Sequence, residues 1–146
     1  MTFVLDASLT LAWCFRDEAT PYTNAVLHAL RGTRALVPSL WFYEVTNGLV
    51  SGLRRERTSD RGVETFLKSL TELPIDMQPT AGHQSAYSAT VRRLAIEHKL
   101  SAYDASYLAL AIEVAVPLAT LDGTGKRQGL KQAAERCGIK LFSPAA

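Results

Sequence analysis

The chain has no run of the ~20 uninterrupted apolar residues needed to span a bilayer, and it does not open on a basic segment followed by an apolar stretch. A membrane protein is therefore not expected, and the cytoplasm is the expected compartment. Cysteine is scarce: Cys14 and Cys137 lie far apart in apolar or small-residue settings and read as buried free thiols. The three histidines are equally scattered, so no zinc motif of ordinary spacing exists. Strong charge of one sign is missing too. The 16 Lys and Arg against 14 Asp and Glu leave a formal charge of +2, too mild to argue for nucleic acid by itself. Repeats, linkers and low-complexity tracts are absent. What is present is a 146-residue chain of 47% hydrophobic composition, enough for an ordinary core in one domain spanning 1–146.

Short apolar runs alternate with helical patterns. Phe3-Val4-Leu5 reads as a strand that stops at Asp6, with a helix implied by the spacing of Leu9, Leu11, Ala12 and Trp13. A helix is expected from Thr20 to Leu30, with Pro21 in its first turn, then a strand at Ala35-Leu36-Val37. Ser39 is the expected cap of a helix from Leu40 to about Arg55, and Ser59 or Asp60 of one running to about Glu72. Further strands are expected at Leu73–Asp76, Pro117–Leu121 and Ile139–Phe142. Helices are expected within Pro79–Lys99, from Asp104 through Val114, and from about Lys126 to Arg136. This alternation predicts an α/β fold: a central, mostly parallel sheet of four to five short strands flanked by helices on both faces.

Most acids sit among Arg, Lys or His and read as solvated surface charge. Four stand in apolar surroundings instead. Asp6 in "FVLD" and Asp122 in "LATLD" each follow a strand, at the carboxyl edge where α/β proteins build ligand sites. Each is also a plausible helix cap or turn residue. Glu44 begins a polar stripe with Asn47, Gly48 and Ser51 on a helix otherwise lined by Trp41, Phe42, Val45 and Leu49. Asp104 heads a helix that is apolar on nearly every side, as an N-cap or as part of a site. Asp76 and Glu113, the nearest rivals, read as structural.

The runs "FVLDASLTLAWCF", "VPSLWFYEVTNGL", "KLSAYDASYLALA" and "PLATLDGTGK", in that order and spacing, resemble the PIN domain, specifically the VapC-type toxins of toxin–antitoxin modules. The resemblance covers nearly the whole chain. It implies that Asp6, Glu44, Asp104 and Asp122 are the catalytic acids, with Ser8, Asn47 and Thr120 as their polar companions. It also implies a metal-dependent endoribonuclease that leaves a 5′-phosphate and a 3′-hydroxyl, a homodimer, and a cognate antitoxin protein that holds the enzyme in check. Transfer or ribosomal RNA are the family's usual substrates. The glycine-rich "DGTGKRQG" departs from the more basic segment of many relatives.

Clustered carboxylates repel one another unless a cation intervenes, and oxygen ligands suit Mg²⁺, with Mn²⁺ as a substitute. Asp6, Asp104 and Asp122 are the expected metal ligands, with Glu44 a ligand or a general base for the attacking water. The basic clusters Arg54-Arg55-Glu56-Arg57, Arg92-Arg93 and Lys126-Arg127 with Lys131 read first as solvated helix faces; Lys126 and Arg127, close in sequence to Asp122, are candidate phosphate contacts, and Arg54 and Arg55 equally suit a protein partner. A histidine pair is a poor alternative: His83 and His98 lie ~22 Å apart along one helix. "GTGKR" lacks the upstream Gly and the following Ser or Thr of a P-loop. The rival from another class is a catalytically silent PIN-fold module that binds RNA or antitoxin.

Overall fold

Short apolar segments covered on both sides form the centre of the structure, a computed structural model that describes residues 1–78, 84–121 and 129–145. Strands β1 (Thr2–Leu5), β2 (Arg34–Pro38), β3 (Ile75–Gln78) and β4 (Leu118–Ala119) form a sheet of order β3-β2-β1-β4. Every pairing is parallel. Successive residues of a strand point to opposite faces, yet Phe3, Val4 and Leu5 are all 0% exposed, so both faces of β1 are covered. The covering elements are α1 (Ala7–Ala12), α2 (Pro21–Ala29), α3 (Leu40–Arg54), α4 (Asp60–Thr71), α5 (Gln84–His98), α6 (Ala102–Val114) and α7 (Gly129–Arg136), with a 3-10 turn at Arg16–Glu18. No helix among the described residues is long and apolar enough to cross a membrane.

Strand order places the site. The chain runs outward through β1, β2 and β3, then returns to the other side of β1 for β4. The order therefore reverses between β1 and β4, and α/β sheets open a ligand crevice beyond the carboxyl ends of the strands at such a point.

Several sequence expectations shift for local reasons. Thr20 and Thr23 form a reciprocal capping box with Pro21 beside it, and Ser59 caps α4 by accepting the Gly62 N–H at 3.1 Å. Ser39 does not cap α3: its backbone is already helical (φ −57°, ψ −32°), whereas a capping side chain reaches back from an extended residue. Asp104 is not the cap of α6 either. Ser101 takes that place, extended at φ −65° and ψ 158°, and its hydroxyl accepts the Asp104 N–H at 3.1 Å. The expected strand at Ile139–Phe142 reduces to one parallel bridge, Leu118 to Leu141, because β4 is only two residues long. Stacking of Phe142 on Phe3, with ring centroids 3.9 Å apart, and a 2.9 Å hydrogen bond from Tyr22 Oη to the Phe142 carbonyl hold this segment. Cys14 and Cys137 are free thiols as expected, but half-buried rather than buried.

Helix α3 meets α1 and the segment after it through glycines, which corrects the reading of its small-residue stripe. A Cβ at Gly48 would collide with the Leu11 side chain, and one at Gly52 would lie 2.6 Å from Phe15 Cζ. Gly48 thus serves close packing, while Glu44 and Asn47 keep the open side. The Phe15 ring cannot swing away cheaply, because the Arg57 guanidinium lies 4.3 Å over it and is itself held by Asp17 at 2.9 Å. Gly52→Ala is accordingly expected to destabilise by about 1–2 kcal/mol, overpacking outweighing the better helix propensity of Ala. A lowered denaturation midpoint at unchanged slope is the check.

Candidate active site

The β1–β4 register pairs Leu5 with Ala119, so the next residues along each strand, Asp6 and Thr120, fall side by side. The Asp6 N–H donates to the Ala119 carbonyl at 3.0 Å. Its buried carboxylate accepts two hydroxyls on one oxygen: Ser8 Oγ at 2.8 Å and Thr120 Oγ1 at 2.7 Å, both to Oδ2. The Ser8 N–H makes a longer, 3.4 Å contact to Oδ1, so Asp6 is also the N-cap of α1. Behind it, Thr10 Oγ1 donates to the Asp6 carbonyl and accepts the Trp41 indole N–H, both at 3.2 Å. Three elements thereby hold one carboxylate in place: α1, α3 and the end of β4.

Glu44 projects from α3 beside the buried row Trp41, Val45 and Leu49. Burial pushes its carboxyl up to about 7, the Asp6 charge adds to the shift, the Tyr107 hydroxyl opposes it, and the Asp104 charge adds again. Asp104 occupies the first turn of α6, where the helix dipole favours a negative charge. Glu44 is thus near enough to feel both Asp6 and Asp104, which come from two other stretches of chain. Tyr107 is fully buried, and its phenol is pushed upward by burial and by the charges of Asp6 and Glu44. Its interaction with Glu44 falls short of hydrogen-bond geometry. Glu44 Oε1 and Tyr107 Oη are both buried with no hydrogen-bond partner among the described residues.

Glu44 opens onto a cavity of about 510 Å³ that Leu40, Tyr43, Asn47 and Tyr103 also line. Asn47 is exposed there, and Ser8 is exposed beside Asp6. Asp122, Lys126 and Arg127 lie outside the described residues. Among those described, no three His, Cys, Asp or Glu side chains form a ready ligand set. The remaining donors still suit a hard cation. They are carboxylate oxygens, one of them buried and unsatisfied, in a place where burial first, and the neighbouring negative charges after it, push the Glu44 carboxyl up to about 7.

Asp76, set aside from sequence as structural, forms a bidentate pair with Arg34 at 2.7 and 2.9 Å, which holds its carboxyl below the usual range. His98 lies 3.5 Å from Cys137 Sγ, while His83 is outside the described residues. Sequence reading missed Tyr107, which lies in the helix taken as apolar on nearly every side. Its signal was a phenol three positions after Asp104, at the head of the aliphatic run that follows Ser106. Tyr43 and Tyr103 were missed as well, each immediately preceding one of the candidate acids.

A four-stranded parallel sheet with carboxylates gathered over its switch point defines an α/β protein with an acidic centre at the carboxyl edge. The chain belongs to the PIN domain family, whose pattern matches residues 3–128. Three solved structures share the fold. PAE2754 from Pyrobaculum aerophilum is 22% identical with TM-score 0.63, over 91% of this chain and 87% of that one. VapBC2 from Rickettsia felis, bound to a DNA fragment from their promoter, is 13% identical with TM-score 0.63, over 97% and 98%. FitAcB from Neisseria gonorrhoeae is 19% identical with TM-score 0.62, over 99% and 98%. No curated protein sequence matches the chain.

Proposed function

We propose that this chain, acting as one domain, is the toxin of a type II toxin–antitoxin module and a Mg²⁺- or Mn²⁺-dependent endoribonuclease. The observation that carries the reading is the state of Glu44: a half-buried carboxyl pushed up to about 7 beside Asp6 and Asp104. Perturbation of this kind, at the switch point of a PIN domain, is what a reactive acid centre requires. A divalent cation held by Asp6 and Asp104, with Asp122 as the further ligand, would supply the charge that lets the acids ionise together and would polarise the phosphodiester and its attacking water.

The chain's own residues supply the rest. Ser8 and Thr120 fix which way the Asp6 carboxylate faces, and Asn47 orients polar groups at the groove. Glu44, poised near neutral pH, takes the proton from the attacking water. Lys126 and Arg127 contact phosphate. Likeness to VapBC2 and FitAcB supports an antitoxin protein as partner. We take a homodimer as the assembly, the cytoplasm as the compartment and transfer or ribosomal RNA as the substrate.

Thr120→Val removes one of two hydroxyls from Asp6 Oδ2 with little change in shape. Its expected effect is a 10–100-fold slower cleavage with near-normal folding, since outer partners of metal ligands contribute on that scale. Matched single-turnover rates and melting curves provide the check. The reading itself is tested by incubating a pool of cellular RNAs with Mg²⁺, Mn²⁺ or EDTA and sequencing the new ends, beside Asp6→Ala. Cuts that need metal and vanish in Asp6→Ala support it. No such product would leave the silent binding module as the better account.

A further inference from the structure

We propose that the outer stripe of α3, together with Tyr103 of α6, is a track for unpaired nucleotides: Tyr43 and Tyr103 stack a nucleobase beside the acid centre, and Arg54 holds a phosphate further along the strand. This rests on the nuclease reading and adds the residues that recognise the substrate. Two large aromatic side chains are left in solvent here, Tyr43 at 80% and Tyr103 at 64% exposure, and both line the cavity that contains Glu44. Their rings contribute little to the core, and their faces are available to a partner.

Helical geometry extends the cavity into a path. Positions 43, 47 and 54 fall within about 40° of one another around α3, so Tyr43, Asn47 and Arg54 share one outer stripe. Arg54 then lies ~10 Å beyond Asn47 along the axis, a span covered by a few nucleotides. Arg54 is exposed and makes no ion pair among the described residues. The succession of aromatic ring, amide and guanidinium alongside a carboxylate centre matches base, base edge and phosphate. A second cavity, of about 450 Å³ between α3, α4 and β3, makes the contrast: Trp41, Val45, Leu67 and Leu70 line it, and none offers a charge. The polar, cation-ended stripe suits RNA far better than the apolar side chains of a protein segment.

Stacking also selects strandedness. In a duplex each base face is covered by its neighbours, whereas an unpaired base offers a free face to an aromatic ring. Binding is measured by fluorescence anisotropy in EDTA with a labelled, unstructured oligoribonucleotide and with its duplex, using the full chain. Tyr43→Ala and Tyr103→Ala are each expected to weaken single-strand binding about 5–100-fold, while Tyr43→Phe and Tyr103→Phe stay within about twofold of wild type. Arg54→Ala is expected to flatten the plot of log affinity against log salt by about 0.7. All three side chains are exposed, so unchanged melting is the folding control. Wild-type cleavage with alanine variants that bind normally, or equal tyrosine dependence for the duplex, overturns the track and leaves the nuclease reading intact. A wild-type protein that neither binds nor cleaves RNA removes both.

Discussion

Asp6→Asn is expected to cut metal-dependent RNA cleavage by about a thousandfold or more, ~4 kcal/mol of transition-state stabilisation, while leaving the protein folded. The two halves of that result have different origins. The amide oxygen of Asn can still accept from Ser8 Oγ and Thr120 Oγ1, so the contacts that close the β1–β4 junction persist. Stability should stay within about 1 kcal/mol of wild type, because removing one charge also relieves the repulsion that Asp6 exerts on Glu44. What disappears is the negative charge that would hold a cation. A variant that melts normally and does not cleave separates chemistry from architecture. Normal metal-dependent cleavage by Asp6→Asn would remove the acid centre from the mechanism.

The second large effect concerns pH. Glu44 titrates at about 7 in the folded protein against an ordinary value of 4.5. Between those values the unfolded chain has released the proton while the folded chain still binds it. Ionisation therefore favours the unfolded state as pH rises, and metal-free protein should lose stability from about pH 4.5 upward, levelling off above 7. Partial exposure limits the loss to the order of 1–2 kcal/mol, or roughly 3–6 °C in Tm for a chain of this length. Glu44→Gln should flatten that segment of the profile and melt higher than wild type at pH 8. Adding Mg²⁺ should flatten the wild-type profile as well, because a nearby cation favours the ionised form. A metal-free profile with the same slope in wild type and Glu44→Gln would assign the shift to other groups.

The fold was legible because its signals are local and repeated. Apolar runs such as Phe3-Val4-Leu5 sit between helical patterns, and each strand's end is marked by a polar residue. Asp6 stood out for the same reason: an acid directly after such a run has one place to go in a parallel sheet. Ends and caps were less legible, since Ser39 and Ser101 are both serines before helices and only backbone angles, set by the preceding chain, decide which one caps. Gly48 was misread because its role depends on Leu11, 37 positions earlier, a contact that no periodicity reveals. Tyr107 was overlooked because hydrophobic scales credit its ring and ignore its hydroxyl, which matters only beside Glu44.

The bond from Thr120 to Asp6 joins residues 114 positions apart. A chain still being synthesised holds its first acid early but acquires the hydroxyl that steadies it only near the end, after the residues of the other three strands have been made. The acidic centre is therefore completed late in translation: an unfinished or truncated product that stops before β4 lacks the closing piece. For a protein proposed to attack RNA, the order in which the chain emerges is itself a safeguard.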